Sequence, residues 1–250
     1  MGDVGVHSLH NLKDKIKNYF SFTADETKGI IITCLIIGFI AGFDDGTNSH
    51  IITAFTLLNM LACVLIAVLA VLVHHSVERI VALWHGYKLT HNPSWSTSLI
   101  GVMFAIASLG KISFIPAGGF EAELLERHRL GSFRYNLSYG PLAVIAFFGS
   151  MSNIALAIIF KIFMFIPSQF IAKAMAINLM FAVSNLLPIP PLDGSHIFFV
   201  TRFSWAFVFG TAVALALFLM KSSLAISIAA GLGMGILFTL YYKIGIEPKL

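Results

Sequence analysis

The sequence predicts an all-α polytopic membrane protein with about six to seven spans and a short extended or re-entrant segment near residues 111–120. Of its 250 residues, 58% are hydrophobic and only 11% are charged, whereas about a quarter of an average soluble domain is charged. Several stretches without Asp, Glu, Lys or Arg approach the length of about 20 apolar residues that crosses a bilayer. These stretches are Gly46–Val77, Tyr135–Phe160, Ala174–Leu192, Phe203–Met220 and Ser222–Tyr242.

The scarcity of charge excludes three classes of protein: an ordinary cytosolic enzyme, a disordered chain and a coiled coil. The formal net charge is +4. Because Lys and Arg accumulate in the cytoplasmic loops of membrane proteins, this excess indicates orientation and not nucleic-acid binding. We therefore expect an integral protein of the cell membrane, with the lipid bilayer as a partner and the Lys-rich N-terminus in the cytoplasm.

Residues 1–28 are the most polar stretch, and they predict a basic amphipathic N-terminal segment. Apolar side chains recur in it at helical spacing with lysines between them, which is typical of a helix that lies on an anionic membrane surface. A solvated tail is the alternative. Residues 29–250 are expected to form a single membrane domain. The apolar positions are Leu9, Leu12, Ile16 and Phe20, and the lysines are Lys13, Lys15 and Lys17.

Within the membrane domain, apolar stretches and turn residues predict helices and one irregular segment. Residues 111–120 contain Pro116 and two glycines, so we expect an extended or re-entrant segment that the surrounding protein shields from lipid. A short charged helix, Glu121–Leu130, should follow it. The last apolar helix carries Gly231-x-x-x-Gly235, a motif of close helix packing. The predicted apolar helices are residues 29–43, 51–84, 99–109, 139–160, 171–187, 196–220 and 222–242.

One candidate site is the cluster His74-His75-Ser76-Val77-Glu78-Arg79, which follows a long stretch without charge. Ionisable residues inside a membrane span are costly, so they are functional candidates by default. On a helix His74 and Glu78 are one turn apart on the same face, so both can reach one cation. Imidazole and carboxylate are both zinc ligands. The alternative is a structural role, in which Glu78 pairs with Arg79 or with a histidine.

A second candidate is Asp193, which closes the stretch Asn185-Leu-Leu-Pro-Ile-Pro-Pro-Leu-Asp193-Gly194. The prolines break the helix and hold Asp193 at the break, where it can ligate a metal or cap the next helix. Together with His74 and Glu78 it makes a set of three protein ligands. A catalytic zinc site has three protein ligands and an open fourth position for water or substrate.

The same stretch carries a resemblance to a known family. It matches the motif Asn-x-x-Pro-x-Pro-x-x-Asp-Gly of the site-2 protease family of intramembrane zinc metallopeptidases at every defined position. The segment Gly149-Ser-Met-Ser-Asn153 resembles the family's Gly-Pro-x-x-Asn segment, with Ser150 in place of the proline. Phe114-Ile-Pro-Ala-Gly-Gly119 resembles the extended segment that precedes it. The resemblance covers residues from about 65 to 199 and leaves both chain ends unassigned.

The first active-site motif departs from the family's pattern. The family has His-Glu-x-x-His near the end of a membrane helix, with a glycine that follows the second His. Here His74 aligns with the first His, His75 with the Glu and Glu78 with the second His, and Gly86 aligns with the glycine. The divergent motif therefore reads His-His-x-x-Glu.

The resemblance implies one divalent metal ligated by His74, Glu78 and Asp193. Zinc is the first choice, and the two carboxylates make manganese or iron the alternatives. The implied catalytic residues are His75, which would take the place of the general base, and Asn185, which would orient substrate or stabilise the oxyanion. In an alternative assignment His75 is the ligand and Glu78 is the base.

The activity that follows from the resemblance is that of a zinc metalloendopeptidase, which hydrolyses peptide bonds in transmembrane substrate helices or peptides. His196 and Asn153 are candidate additional site residues. The alternative function is a catalytically inactive relative that binds transmembrane partners. A transporter is the third reading, but it should show paired broken helices in two related halves, and the sequence has one clear proline-broken segment.

Overall fold

The computed structural model describes residues 9–44, 54–125, 137–165 and 168–246, and within them the chain is predominantly helical. A 3-10 turn (Phe163–Phe165) follows α5, and a π turn (Tyr242–Ile246) follows α9. Two strands, β1 (Tyr87–Asn92) and β2 (Gly119–Leu124), interrupt the helices. The helices are α1 (Leu9–Tyr19), α2 (Ala24–Gly42), α3 (Ala54–His85), α4 (Trp95–Ala107), α5 (Tyr139–Ile162), α6 (Gln169–Asn185), α7 (Asp193–Val200), α8 (Arg202–Phe218) and α9 (Leu224–Tyr241).

In the described part of the chain, three helices are long and apolar enough to cross a membrane. The expectation of six to seven spans is not supported. The apolar helices α4 and α8 are shorter than about 20 residues, and α2 begins with the charged residues Asp25, Glu26 and Lys28. The three candidate spans are Phe55–His85, Tyr139–Phe165 and Leu224–Ile246.

The N-terminal segment forms α1, and local capping explains where α2 begins. The expected amphipathic segment contains α1, and its residues 1–8 lie outside the described part. Lys15 of α1 is buried, whereas its neighbours Lys13 and Lys17 are exposed. The helix α2 starts ahead of the expected residue 29, because the side chains of Thr23 and Glu26 form a capping box.

The two strands form an antiparallel pair in which His91 is opposite Phe120. The predicted helix Glu121–Leu130 is wrong over Glu121–Leu124, which belong to β2, and residues 126–130 lie outside the described part. Exposure alternates along β2 with the period of a strand, and the pairing with β1 stabilises it. Residues 113–118, in the segment expected to be extended or re-entrant, have no regular secondary structure and lead into β2.

The helices α3, α5, α6 and α7 pack around one central region. The helix α5 contacts α3, α6 and α7, so it lies between the two candidate ligand segments. The expected single helix over residues 196–220 is divided at Thr201, whose extended backbone (φ −147°, ψ 111°) ends α7 and starts α8. The short α7 therefore places Asp193 at its start, next to α3 and α5.

Close packing of α9 against α8 gives a first prediction. A Cβ atom on Gly235 would lie 2.8 Å from the carbonyl oxygen of Phe207, whereas a Cβ atom on Gly233 would meet nothing within 4 Å. We expect Gly235→Ala to lower the free energy of unfolding by about 1–3 kcal/mol, because the helices must separate. Gly233→Ala should have no effect or stabilise α9, because Ala has the higher helix propensity. Equal unfolding temperatures for both variants in mild detergent would contradict this account.

Candidate metal centre

The structure brings His74, Glu78 and Asp193 together at one buried point. The Nε2 atom of His74 lies 3.4 Å from Oε1 of Glu78 and 3.2 Å from Oδ2 of Asp193. Each of the three residues is at most 2% exposed. The α3 helix places His74 and Glu78 one turn apart, as the sequence spacing predicts, and the break before α7 brings Asp193 to them.

Asn153 fixes the orientation of the His74 ring. Its amide nitrogen donates to the carbonyl of Ala70 and to Oδ1 of Asn178, both at 3.1 Å, so its oxygen is left as an acceptor. That oxygen lies 2.8 Å from Nδ1 of His74. The Nδ1 atom must therefore carry a proton, and Nε2 is the ring nitrogen that faces the two carboxylates. Metal-ligating histidines have this arrangement of the second ring nitrogen.

The helix α5 approaches the two carboxylates through small residues. The hydroxyl of Ser150 donates to Oδ2 of Asp193 over 2.9 Å. A Cβ atom on Gly149 would lie 2.7 Å from Cγ of Glu78, so only glycine allows α5 to come this close. Ser150, which replaces the proline of the family's motif, thus contributes a hydrogen bond to the candidate ligand.

His75 belongs to the same cluster. Its Nδ1 lies 2.8 Å from Oε2 of Glu78. One ligand atom from each of His74, His75 and Glu78 can be chosen so that all three atoms lie within 4.8 Å of one another. These three residues form a possible metal-binding group, which includes His75 as the alternative assignment expects.

Sequence reasoning missed His91, which lies on β1 against the ring of His75. The two ring centroids are 3.9 Å apart, with an angle of 44° between the planes. Burial lowers the pKa of His91 to about 2, so its imidazole is neutral. A strand assignment for residues 87–92 would have found it, because Tyr87, Leu89 and His91 alternate toward the interior.

The remaining candidates, Asn185 and His196, lie in different surroundings. The side-chain oxygen of Asn185 accepts from the backbone N–H of Ala117 over 2.8 Å, and its amide donates to Phe181 over 3.0 Å. Asn185 therefore ties α6 to the irregular segment 113–118. The ring of His196 stacks on Phe120 of β2, with 4.8 Å between the ring centroids.

The structural alternative is that Glu78 pairs with Arg79 or with a histidine. The structure shows the pairing with a histidine, His75, and it pairs Arg79 with another residue. Its guanidinium forms a buried ion pair with Glu26 of α2. It also donates to the backbone carbonyls of Phe20 and Ser21, at 3.2 and 2.8 Å. Arg79 thus links α3 to the start of α2 and to the residues that precede it, and Arg79 is the residue next to Glu78.

Glu26 is held in its ionised form. Burial alone would raise the pKa of Glu26, but hydrogen bonds from the backbone N–H groups of Thr23 and His91 and the charge of Arg79 outweigh it, so the pKa is lowered. The carboxylate therefore neutralises Arg79 and fixes the backbone of β1 at His91.

Comparison with protein-family models, curated proteins and solved structures finds no match for this chain. The resemblance to the site-2 proteases consequently stays a prediction that rests on the motif residues of the sequence.

The role of Asn153 gives a second prediction. Asn153→Ala removes the acceptor that orients His74, so we expect the zinc affinity of the purified protein to fall about 10- to 100-fold. The control is Ser152→Ala, because the Ser152 hydroxyl bonds only to the Gly149 carbonyl of its own helix in the described contacts. Competition with a chelator of known affinity measures both. A folded Asn153→Ala protein with wild-type affinity would refute the orienting role.

Proposed function

We propose that this protein is an intramembrane metalloprotease of the site-2 type, which hydrolyses peptide bonds in transmembrane helices. One observation carries the proposal. Two carboxylates from separate sequence motifs, Glu78 on α3 and Asp193 on α7, each place an oxygen within 3.4 Å of Nε2 of His74. They meet between membrane-crossing helices, where an uncompensated charge is costly.

The donor set fits a divalent cation. Two buried carboxylates face Nε2 of one imidazole, and among the described residues Oε1 of Glu78 has no hydrogen-bond donor. Buried anions need a cation or a complete set of donors. His74, Glu78 and Asp193 would hold zinc, with manganese or iron as the alternatives favoured by the oxygen ligands. Such a cation supplies Lewis acidity, which polarises a peptide carbonyl and acidifies water.

The other residues have distinct tasks in this proposal. Because Nδ1 of His75 donates to Glu78, its Nε2 is free to take the proton of the attacking water and to return it to the departing amine. Asn185 positions the segment 113–118, which it holds against α6, and its role toward substrate or the oxyanion stays a prediction. Ser150 and Asn153 hold Asp193 and His74 in place.

We also assign the protein to the cell membrane, with the N-terminal segment on the cytoplasmic side. The lysines Lys13 and Lys17 support this orientation, since both are exposed on α1 and basic residues accumulate on the cytoplasmic side. Three helices of the described part have the length and hydropathy of membrane spans, and these carry the residues of the candidate centre on α3 and α5.

One observation favours the alternative of an inactive relative that binds transmembrane partners. His75, at the position of the general base, is 5% exposed and hydrogen-bonded to Glu78. An imidazole fixed in this way accepts a proton less readily than a carboxylate that faces water. The two functions share the metal centre and differ in whether peptide bonds are cleaved.

A cleavage assay in lipid vesicles tests the proposal. We expect the wild-type protein to cleave a single-span substrate, and His74→Ala, Glu78→Gln and Asp193→Asn to lose both the cleavage and the bound metal. The control is Asp25→Asn, which removes a carboxylate that is 91% exposed at its side chain and should leave both unchanged.

The two readouts separate the outcomes. If the wild-type protein binds metal but cleaves none of several substrates with different helix-breaking residues, the result would favour the inactive relative. A folded wild-type protein that takes up no zinc, manganese or iron would overturn the metalloprotease proposal.

A further inference from the structure

The buried ion pair between Glu26 and Arg79 lies directly beside the candidate metal centre. Both side chains are at most 4% exposed. Arg79 follows Glu78 in α3, and it is one helical turn from His75. A guanidinium cannot lose its proton in a protein, so its charge at this place must be neutralised by a partner.

The centre itself offers a competing partner for that charge. Glu78 uses Oε2 to accept from His75, and its Oε1 faces His74. If Glu26 did not neutralise Arg79, an uncompensated positive charge would lie one residue from Glu78 and one helical turn from His75. A carboxylate that is paired with a guanidinium is a poorer metal ligand, and a free cationic side chain also repels a divalent cation.

We infer that Glu26 is a positioning residue of the metal centre: by neutralising Arg79 it keeps Glu78 available as a ligand. This inference rests on the proposed metal site. It adds that the N-terminal part of the chain, through Glu26, affects how tightly that site binds metal. Glu26 reaches the centre in two ways, through the Arg79 ion pair and through the backbone N–H of His91, which it accepts over 2.9 Å.

The contacts around Arg79 show which part of the chain is coupled to the centre. Its remaining described hydrogen bonds go to the carbonyls of Phe20 and Ser21, and its guanidinium carbon lies 4.1 Å from the centre of the Phe22 ring. The segment from Phe20 to Glu26 thus surrounds the Arg79 charge from one side. Loss of these contacts would leave the Arg79 charge without its partner beside the centre, so the position of this segment is coupled to the proposed metal binding.

The test uses a charge-neutral variant and its compensation. Glu26→Gln keeps the size of the side chain and one of its two acceptor oxygens but removes the charge. We expect the zinc dissociation constant of this variant to rise about 10- to 100-fold, the range seen when a residue supporting a ligand is lost. The double variant Glu26→Gln/Arg79→Met should bind zinc nearly as tightly as the wild-type protein, because no unneutralised guanidinium is left. Asp25→Asn is the matched control on the neighbouring residue.

A purely structural role predicts a different pattern. If Glu26 only supported the fold, the double variant would bind zinc as weakly as the single variant or more weakly, and that result would overturn the inference. Thermal unfolding of each variant in detergent shows which of them are folded.

A second measurement does not depend on zinc at all. A double-mutant cycle combines Glu78→Gln with Arg79→Met, and the unfolding temperature of each variant is measured in the presence of a chelator. The cycle is carried out twice, once in the wild-type protein and once in the Glu26→Gln variant. We expect the coupling between Glu78 and Arg79 to be absent in the wild-type background and present in the Glu26→Gln background. The same coupling in both backgrounds would refute the inference. A protein that binds no metal would instead refute the proposed function, and the cycle would still decide the role of Glu26.

Discussion

The burial of Glu78 and Asp193 between apolar helices is the constraint on which the rest of the structure depends. Two carboxylates cannot stay ionised in such a place without partners. The surrounding chain supplies those partners from two helices: His74 and His75 from α3, which also carries Glu78, and the Ser150 hydroxyl from α5. Among the described residues, Oε1 of Glu78 still has no hydrogen-bond donor. It faces the same point as Asp193 and His74, which is an arrangement that suits a cation.

The same constraint explains why α5 is built from small and polar residues where it passes the centre. Gly149 lets the helix approach Glu78 closely, Ser150 contacts Asp193, and Asn153 orients His74. These residues lie within little more than one turn of a helix that is otherwise apolar. One short segment of α5 therefore both packs closely against α3 and supplies polar contacts to the candidate ligands. Its small and polar residues are the ones that face those ligands.

A carboxylate at residue 78 has chemical consequences. In the proposed centre, two anionic ligands would neutralise a divalent cation more fully than one, so the cation would be a weaker Lewis acid and oxygen-preferring metals would compete better. The pairing of Arg79 with Glu26 matters more in such a centre, because Glu78 would be drawn to any free guanidinium. The divergent motif and the N-terminal ion pair are thus linked by electrostatics, although they are far apart in the chain.

The sequence alone determined the helical class, the approximate ends of the long helices and the ligand candidates His74, Glu78 and Asp193. These features are local: they depend on runs of apolar residues, on helical spacing and on a proline-rich motif. Only the tertiary structure decided that Glu121–Leu124 belong to a strand and not to a helix, that His91 lies against His75, and that Arg79 pairs with Glu26. Each of these depends on contacts between residues distant in the chain, and no local pattern of spacing or hydropathy specifies which distant residue will be the partner.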